Sequence, residues 1–121
     1  MKNILLVFLG GGAGSVVRYM ISRYLHSSAD GIPYGTFVAN ILGSLIIGVL
    51  LGWTARNAVL SPQVSLLLAT GFCGGMTTFS TFAYENHVFL RAGDFISFFS
   101  YAVGSFVLGV LAVFCGMWLA K

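Results

Sequence analysis

The run Gly71-Phe72-Cys73-Gly74-Gly75-Met76-Thr77-Thr78-Phe79-Ser80-Thr81-Phe82 concentrates the chemistry of this chain. Two adjacent glycines and four hydroxyl side chains sit in the middle of an apolar stretch. Glycine weakens a helix by roughly 1 kcal/mol relative to alanine, and Ser and Thr can take over backbone groups that a break sets free. The run therefore predicts a helix interrupted at residues 74–78, with freed carbonyls able to coordinate a cation. A glycine–threonine packing face would have the same composition. Phe79 and Phe82 are three residues apart and share a helix face. Either they pack against neighbours or lipid, or they turn their electropositive ring edges toward an anion in a pore.

Other polar groups stand at membrane depth. Asn40 has an amide that can donate to an anion or join two helices. Arg18 interrupts an apolar stretch; it either faces a water-filled space or snorkels to the interface. Tyr101 and Ser105 share a helix face and can extend one hydroxyl track. Glu85 can cap, pair with a base or join that track, and His87 reads as an interfacial residue. There is no carboxylate pair for acid–base work and no nucleophile–histidine arrangement, so an enzyme is not expected. Cys73 and Cys115 have no metal-ligand neighbour at useful spacing and read as free, buried thiols.

The elements that position these groups follow from composition. Charged residues are 7% of the 121, against about 25% in soluble domains. With 58% hydrophobic residues, the solvent that accepts the chain is a bilayer. A hydrocarbon core of about 30 Å takes about 20 helical residues. Four stretches qualify, at about 3–25, 34–55, 61–89 and 95–120, making residues 1–121 a single all-α transmembrane domain. Turns are expected at 26–33, 56–62 and 91–94, with Pro62 in the first turn of the third helix. Trp53, Trp118 and Tyr34 fall near segment ends, as interfacial aromatics do. Period-2 alternation is absent, which excludes barrel strands. Lys2 followed by an apolar run resembles a signal peptide, but the run carries Arg18 and continues to Tyr24 without a small-residue cleavage site, so a retained helix is expected.

Glycine pairs at i, i+4 (Gly10/Gly14, Gly48/Gly52 and Gly71/Gly75) allow close backbone approach in lipid, and Ser105/Gly109 extend the pattern to the fourth helix. Four helices enclose little interior, so a homodimer of eight is expected. Basic residues divide almost evenly: Lys2, Arg56 and Lys121 belong to one side, Arg23 and Arg91 to the other, with Arg18 inside the first helix. Orientation follows the bias of Lys and Arg between sides. With almost no bias, insertion both ways up and an antiparallel dimer are expected. The net charge of +3 is scattered and forms no basic run, so no nucleic-acid partner is expected.

The chain resembles the Fluc (CrcB) fluoride channel family over nearly its whole length. The resemblance rests on Gly11-Gly12-Ala13-Gly14 with Arg18-Tyr19, on Gly35-Thr36 with Asn40 and Gly43, and above all on the run from Gly71 to Phe82 followed by Glu85. It implies an antiparallel, dual-topology homodimer in the plasma (inner) membrane, exporting fluoride passively through two pores. HF enters as the weak acid, ionises in a more alkaline cytoplasm and leaves as the ion. Phe79 and Phe82 are implied as the pore phenylalanines, Asn40 as the pore asparagine, Ser80, Thr81, Tyr101 and Ser105 as polar lining, and Arg18 as the vestibule arginine. A structural Na⁺ is implied on the backbone carbonyls of Gly74 and Thr77, adding positive potential to a dry interior. Some relatives carry a further hydroxyl where this chain has Gly109. Two rival readings are a small proton-coupled multidrug exporter and a non-transporting membrane assembly subunit. The exporter needs an acid in the first helix, which this chain lacks. The subunit leaves the Gly-Gly-Thr-Thr-Phe-Ser-Thr-Phe run without a purpose.

Overall fold

The computed structural model describes residues 1–25, 31–56 and 60–120, so the expected turns at 26–33 and 56–62 fall partly outside the described residues, as does Lys121. The described residues form helices and no strand. Four spans are long and apolar enough to cross a membrane: Lys2–Tyr24, Tyr34–Ala55, Pro62–Arg91 and Phe95–Leu119. At 1.5 Å per residue the shortest, with 22 residues, reaches about 33 Å. Pro62 and the turn at 91–94 fall where expected, and the helix ends there add caps of their own. Ser61 accepts a hydrogen bond from the Val64 N–H at 3.2 Å, with Pro62 as the first helical residue. Gly93 takes a φ of 73° in the turn before the fourth helix, and Asp94 caps that helix by accepting from the Ser97 N–H at 3.1 Å. Trp53, Trp118 and Tyr34 are exposed at helix ends.

Two seams hold the chain together, and glycine makes both. The first helix packs along the early part of the third span, where Leu66–Cys73 is wound as a π-helix, a form mostly confined to single turns. A Cβ added to Gly10 would fall on the Leu67 carbonyl, one on Gly14 on the Phe72 carbonyl, and one on Gly75 on the Gly11 carbonyl. The second helix packs along the fourth. There a Cβ on Gly48 would fall on the Val113 carbonyl and one on Gly116 on the Leu45 carbonyl. No hydrophobic effect drives helices together in lipid, so this backbone approach and its dispersion contacts carry the association. The fourth helix uses Gly116 rather than the expected Ser105 and Gly109. Gly109 meets only the Ser44 hydroxyl, at 3.7 Å, because the helices are closest one to two turns further on. Of the two thiols, Cys73 is buried as expected, whereas Cys115 points outward and is exposed.

The third span is broken, but later than predicted. Gly74 and Gly75 remain helical, in the segment Gly74–Met76. The chain leaves the helix at Thr77, with φ −88° and ψ 158°, and resumes it at Ser80. Gly75 is reserved for contact with Gly11, and the interruption falls where side chains of other helices can replace lost backbone bonds.

Candidate functional site

The break is held by substitutes for helical hydrogen bonds. In a continuous helix the Thr78 N–H would return to the Gly74 carbonyl. It goes instead to Oδ1 of Asn40 at 2.8 Å, while Nδ2 of Asn40 donates to the Thr78 carbonyl at 3.2 Å. One side-chain amide of the second helix thus pairs with both backbone polar groups of a single residue of the third span. Gly43, one turn along, leaves the space that the Thr77 methyl fills. The Thr77 hydroxyl donates back to the Cys73 carbonyl at 3.0 Å. The Thr78 hydroxyl accepts from the Thr81 N–H at 3.3 Å and so caps the second arm, Ser80–Arg91. On the other side, Nε of Arg18 donates to the Gly75 carbonyl at 3.2 Å and the Ser15 hydroxyl reaches it at 3.4 Å. Among the described residues no hydrogen bond reaches the carbonyls of Gly74 or Thr77.

An open cavity of about 740 Å³ lies beside the break. Asn40, Gly74, Thr77, Phe79, Phe82 and Ser105 all line it. Phe79 projects outward and is 79% exposed. Its ring lies 6.1 Å from Phe82, which in turn lies 5.1 Å from Tyr101, tilted by 51°. The Ser105 hydroxyl is buried and has no hydrogen-bond partner among the described residues. Behind the phenylalanines, Glu85 accepts from the Tyr101 hydroxyl at 2.7 Å and from the Thr36 hydroxyl at 2.8 Å. Three helices are thereby joined through one carboxyl group.

The comparisons with known proteins agree with this architecture. The profile of CrcB-like protein, Camphor Resistance (CrcB), matches residues 5–117. The chain belongs to the CrcB family. Relatives named fluoride-specific ion channel FluC include one from Phocaeicola vulgatus, 45% identical over all of both chains. Another, from Gloeothece citriformis, is 47% identical over all of this chain and 98% of the relative. A third, from Chlorobaculum tepidum, is 46% identical over all of this chain and 96% of the relative. The CrcB chain is thus a multi-pass membrane protein of an ion-channel family, not of an enzyme family.

Of the ten candidate pore and ion-site residues in this CrcB sequence, six meet at the cavity: Asn40, Gly74, Thr77, Phe79, Phe82 and Ser105. Arg18 does not; it lies across the break, on the side of the first helix. Tyr101 is buried behind Phe82 rather than open to the cavity. Ser80 is exposed at the start of the second arm, its hydroxyl 3.5 Å from that of Thr78, and Thr81 is half-buried. Two participants had no role assigned from sequence. Thr78 forms the clamp with Asn40, and Thr36 completes the Glu85 cluster. Thr36 lies four residues before Asn40 and so shares its helix face, a signal that could have found it. Glu85 joins the polar path rather than a base: its partners among the described residues are hydroxyls. Among the described residues there is no group of three or more His, Cys, Asp and Glu placed to hold a metal ion.

Proposed function

We propose that the protein is a fluoride-selective channel of the plasma membrane that releases cytoplasmic F⁻ passively. The observation that carries this reading is the broken third span, which brings two phenylalanines, an amide and a hydroxyl unpartnered among the described residues to one cavity at membrane depth. The full-length relatives named as fluoride-specific channels support it. Fluoride is small and strongly hydrated, so a pore must replace its water without binding it too tightly for release. Ring edges of Phe79 and Phe82 do this with a quadrupole rather than a charge. Asn40 keeps one amide hydrogen beyond its bond to Thr78. Ser105 offers a hydroxyl without a hydrogen-bond partner among the described residues, Ser80 and Thr81 add hydroxyls at the start of the second arm, and Tyr101 backs Phe82 while donating to Glu85. The second arm begins at the cavity, so its dipole and the first-turn N–H groups other than that of Thr81 favour an anion there. The guanidinium of Arg18 raises the anion concentration at the vestibule.

The working unit in this reading is an antiparallel, dual-topology homodimer with two pores. Polar groups and an open cavity at membrane depth are tolerated only where protein or water covers them, and a single copy leaves Phe79 and Gly74 exposed. A Cβ on Gly12, Gly74 or Gly104 would meet open space, so the outward faces also offer small residues for close approach. A structural Na⁺ fits the end of the first arm. The carbonyls of Gly74 and Thr77 are neutral oxygen donors without hydrogen bonds among the described residues, at the negative end of a helix. Bound there, the ion would fix the break and add positive potential to a dry interior.

Fluoride efflux from liposomes holding the purified protein, read with a fluoride electrode, tests the channel. Efflux above that of empty liposomes is expected; none, with a dimer confirmed by cross-linking, overturns it. Thermal stabilisation by Na⁺ but not by larger alkali cations tests the ion. A C-terminal tag found on one side of the membrane only would remove the dual topology.

A further inference from the structure

We infer that Arg18 is a positioning residue that latches the broken span onto the first helix through its Nε–H. Breaking a helix strands the carbonyls of its last turn. The Gly75 carbonyl is one of these, since its helical partner would be the N–H of Phe79. The groups that reach it both come from the first helix: Arg18 Nε at 3.2 Å and the Ser15 hydroxyl at 3.4 Å. Gly11, Gly14, Ser15 and Arg18 recur at helical spacing along one stripe of that helix. Its glycines bring the two backbones together, at Gly11 against Gly75 and Gly14 against Phe72, and its two donors follow. Across the break, Asn40 takes both polar groups of Thr78. The two residues between, Met76 and Thr77, are therefore held from both ends, by the first helix and by the second. The bond from Arg18 is charge-assisted and only half-buried, so it is stronger than a neutral bond at the same place. Among the described residues it leaves both Nη groups of Arg18 without a hydrogen bond, so the charge remains available to the vestibule.

The latch and the charge separate cleanly by substitution. Nε is the fourth atom of the arginine side chain, counted from Cβ, and so is Nε2 of glutamine. Arg18→Gln thus keeps a donor in place and removes the charge. Arg18→Lys keeps the charge and puts a methylene where the donor was. Hydrogen–deuterium exchange of the full-length protein in lipid nanodiscs reads how often residues 74–82 open. Arg18→Lys is expected to speed exchange there roughly tenfold or more, with Arg18→Gln close to the unmodified protein and Ser15→Ala giving a smaller rise. Unchanged exchange in Arg18→Lys, or exchange in Arg18→Gln as fast as in Arg18→Lys, overturns the latch. If only one variant yields folded protein, survival of Arg18→Gln supports the latch and survival of Arg18→Lys overturns it.

Discussion

Gly74 and Gly75 are adjacent, both helical, and do opposite things. A side chain on Gly75 would strike the backbone of Gly11, whereas one on Gly74 would meet open space. The same contrast runs through the molecule. Glycines facing the two seams bring backbones of one chain together, and Gly12, Gly74 and Gly104 face away from them. The difference lies in what surrounds each position, because the residue type and the backbone conformation are the same. It separates the seams packed within the chain from the outward faces, which would meet the second copy in the proposed dimer.

Gly75→Val attacks the first half of that contrast and has the largest expected effect. Backbone at Gly11 has little room to yield, so overpacking should cost about 3 kcal/mol or more, seen as loss of folded protein in thermal scans. Wild-type stability would show that the seam is looser than described. Asn40→Ala removes both bonds to Thr78 and leaves the Thr78 N–H and carbonyl unpaired, costing about 2–3 kcal/mol. Asn40→Asp, which keeps the acceptor for the Thr78 N–H, should recover part of this.

The phenylalanines sharpen the comparison further. Phe82 stacks on Tyr101 while Phe79 projects outward. Phe82→Ile should cost about 1 kcal/mol through the lost aromatic pair, Phe79→Ile almost nothing, and both should slow fluoride efflux. Wild-type flux in both would return them to ordinary packing. Gly74→Ala should leave the unfolding of the chain unchanged while lowering the dimer fraction in single-molecule photobleaching and weakening stabilisation by Na⁺. An undiminished dimer would place the interface elsewhere. The smallest effect belongs to Asp94. Hydrogen bonds from Ser97 hold its carboxyl below the usual carboxylate range. A lowered folded-state value means the cap contributes above the unfolded value and is lost as pH falls through the folded one. Thermal scans in acid should therefore show a small loss that Asp94→Asn lacks.

How much of this was legible depends on how far apart in the chain the deciding groups lie. The spans and their caps are local features. Ser61 with Pro62, and Asp94 with Ser97, act within three residues, and the glycine pairs at Gly10/Gly14 and Gly71/Gly75 announced close packing. The break was also announced, by Gly-Gly followed by hydroxyls. Its position was not. It depends on Asn40, which lies 38 residues from Thr78, and on the demand of Gly11 that Gly75 stay helical. Glu85 is a similar case, with Thr36 49 residues away.

What the residues determined alone is a membrane protein of four helices with a weak point in the third, because a bilayer's thickness and helix periodicity act on consecutive residues. Tertiary structure decided where the third helix gives way and which side chains meet there. Those outcomes turn on which distant donor reaches a freed backbone group, and that is fixed only once the helices are packed.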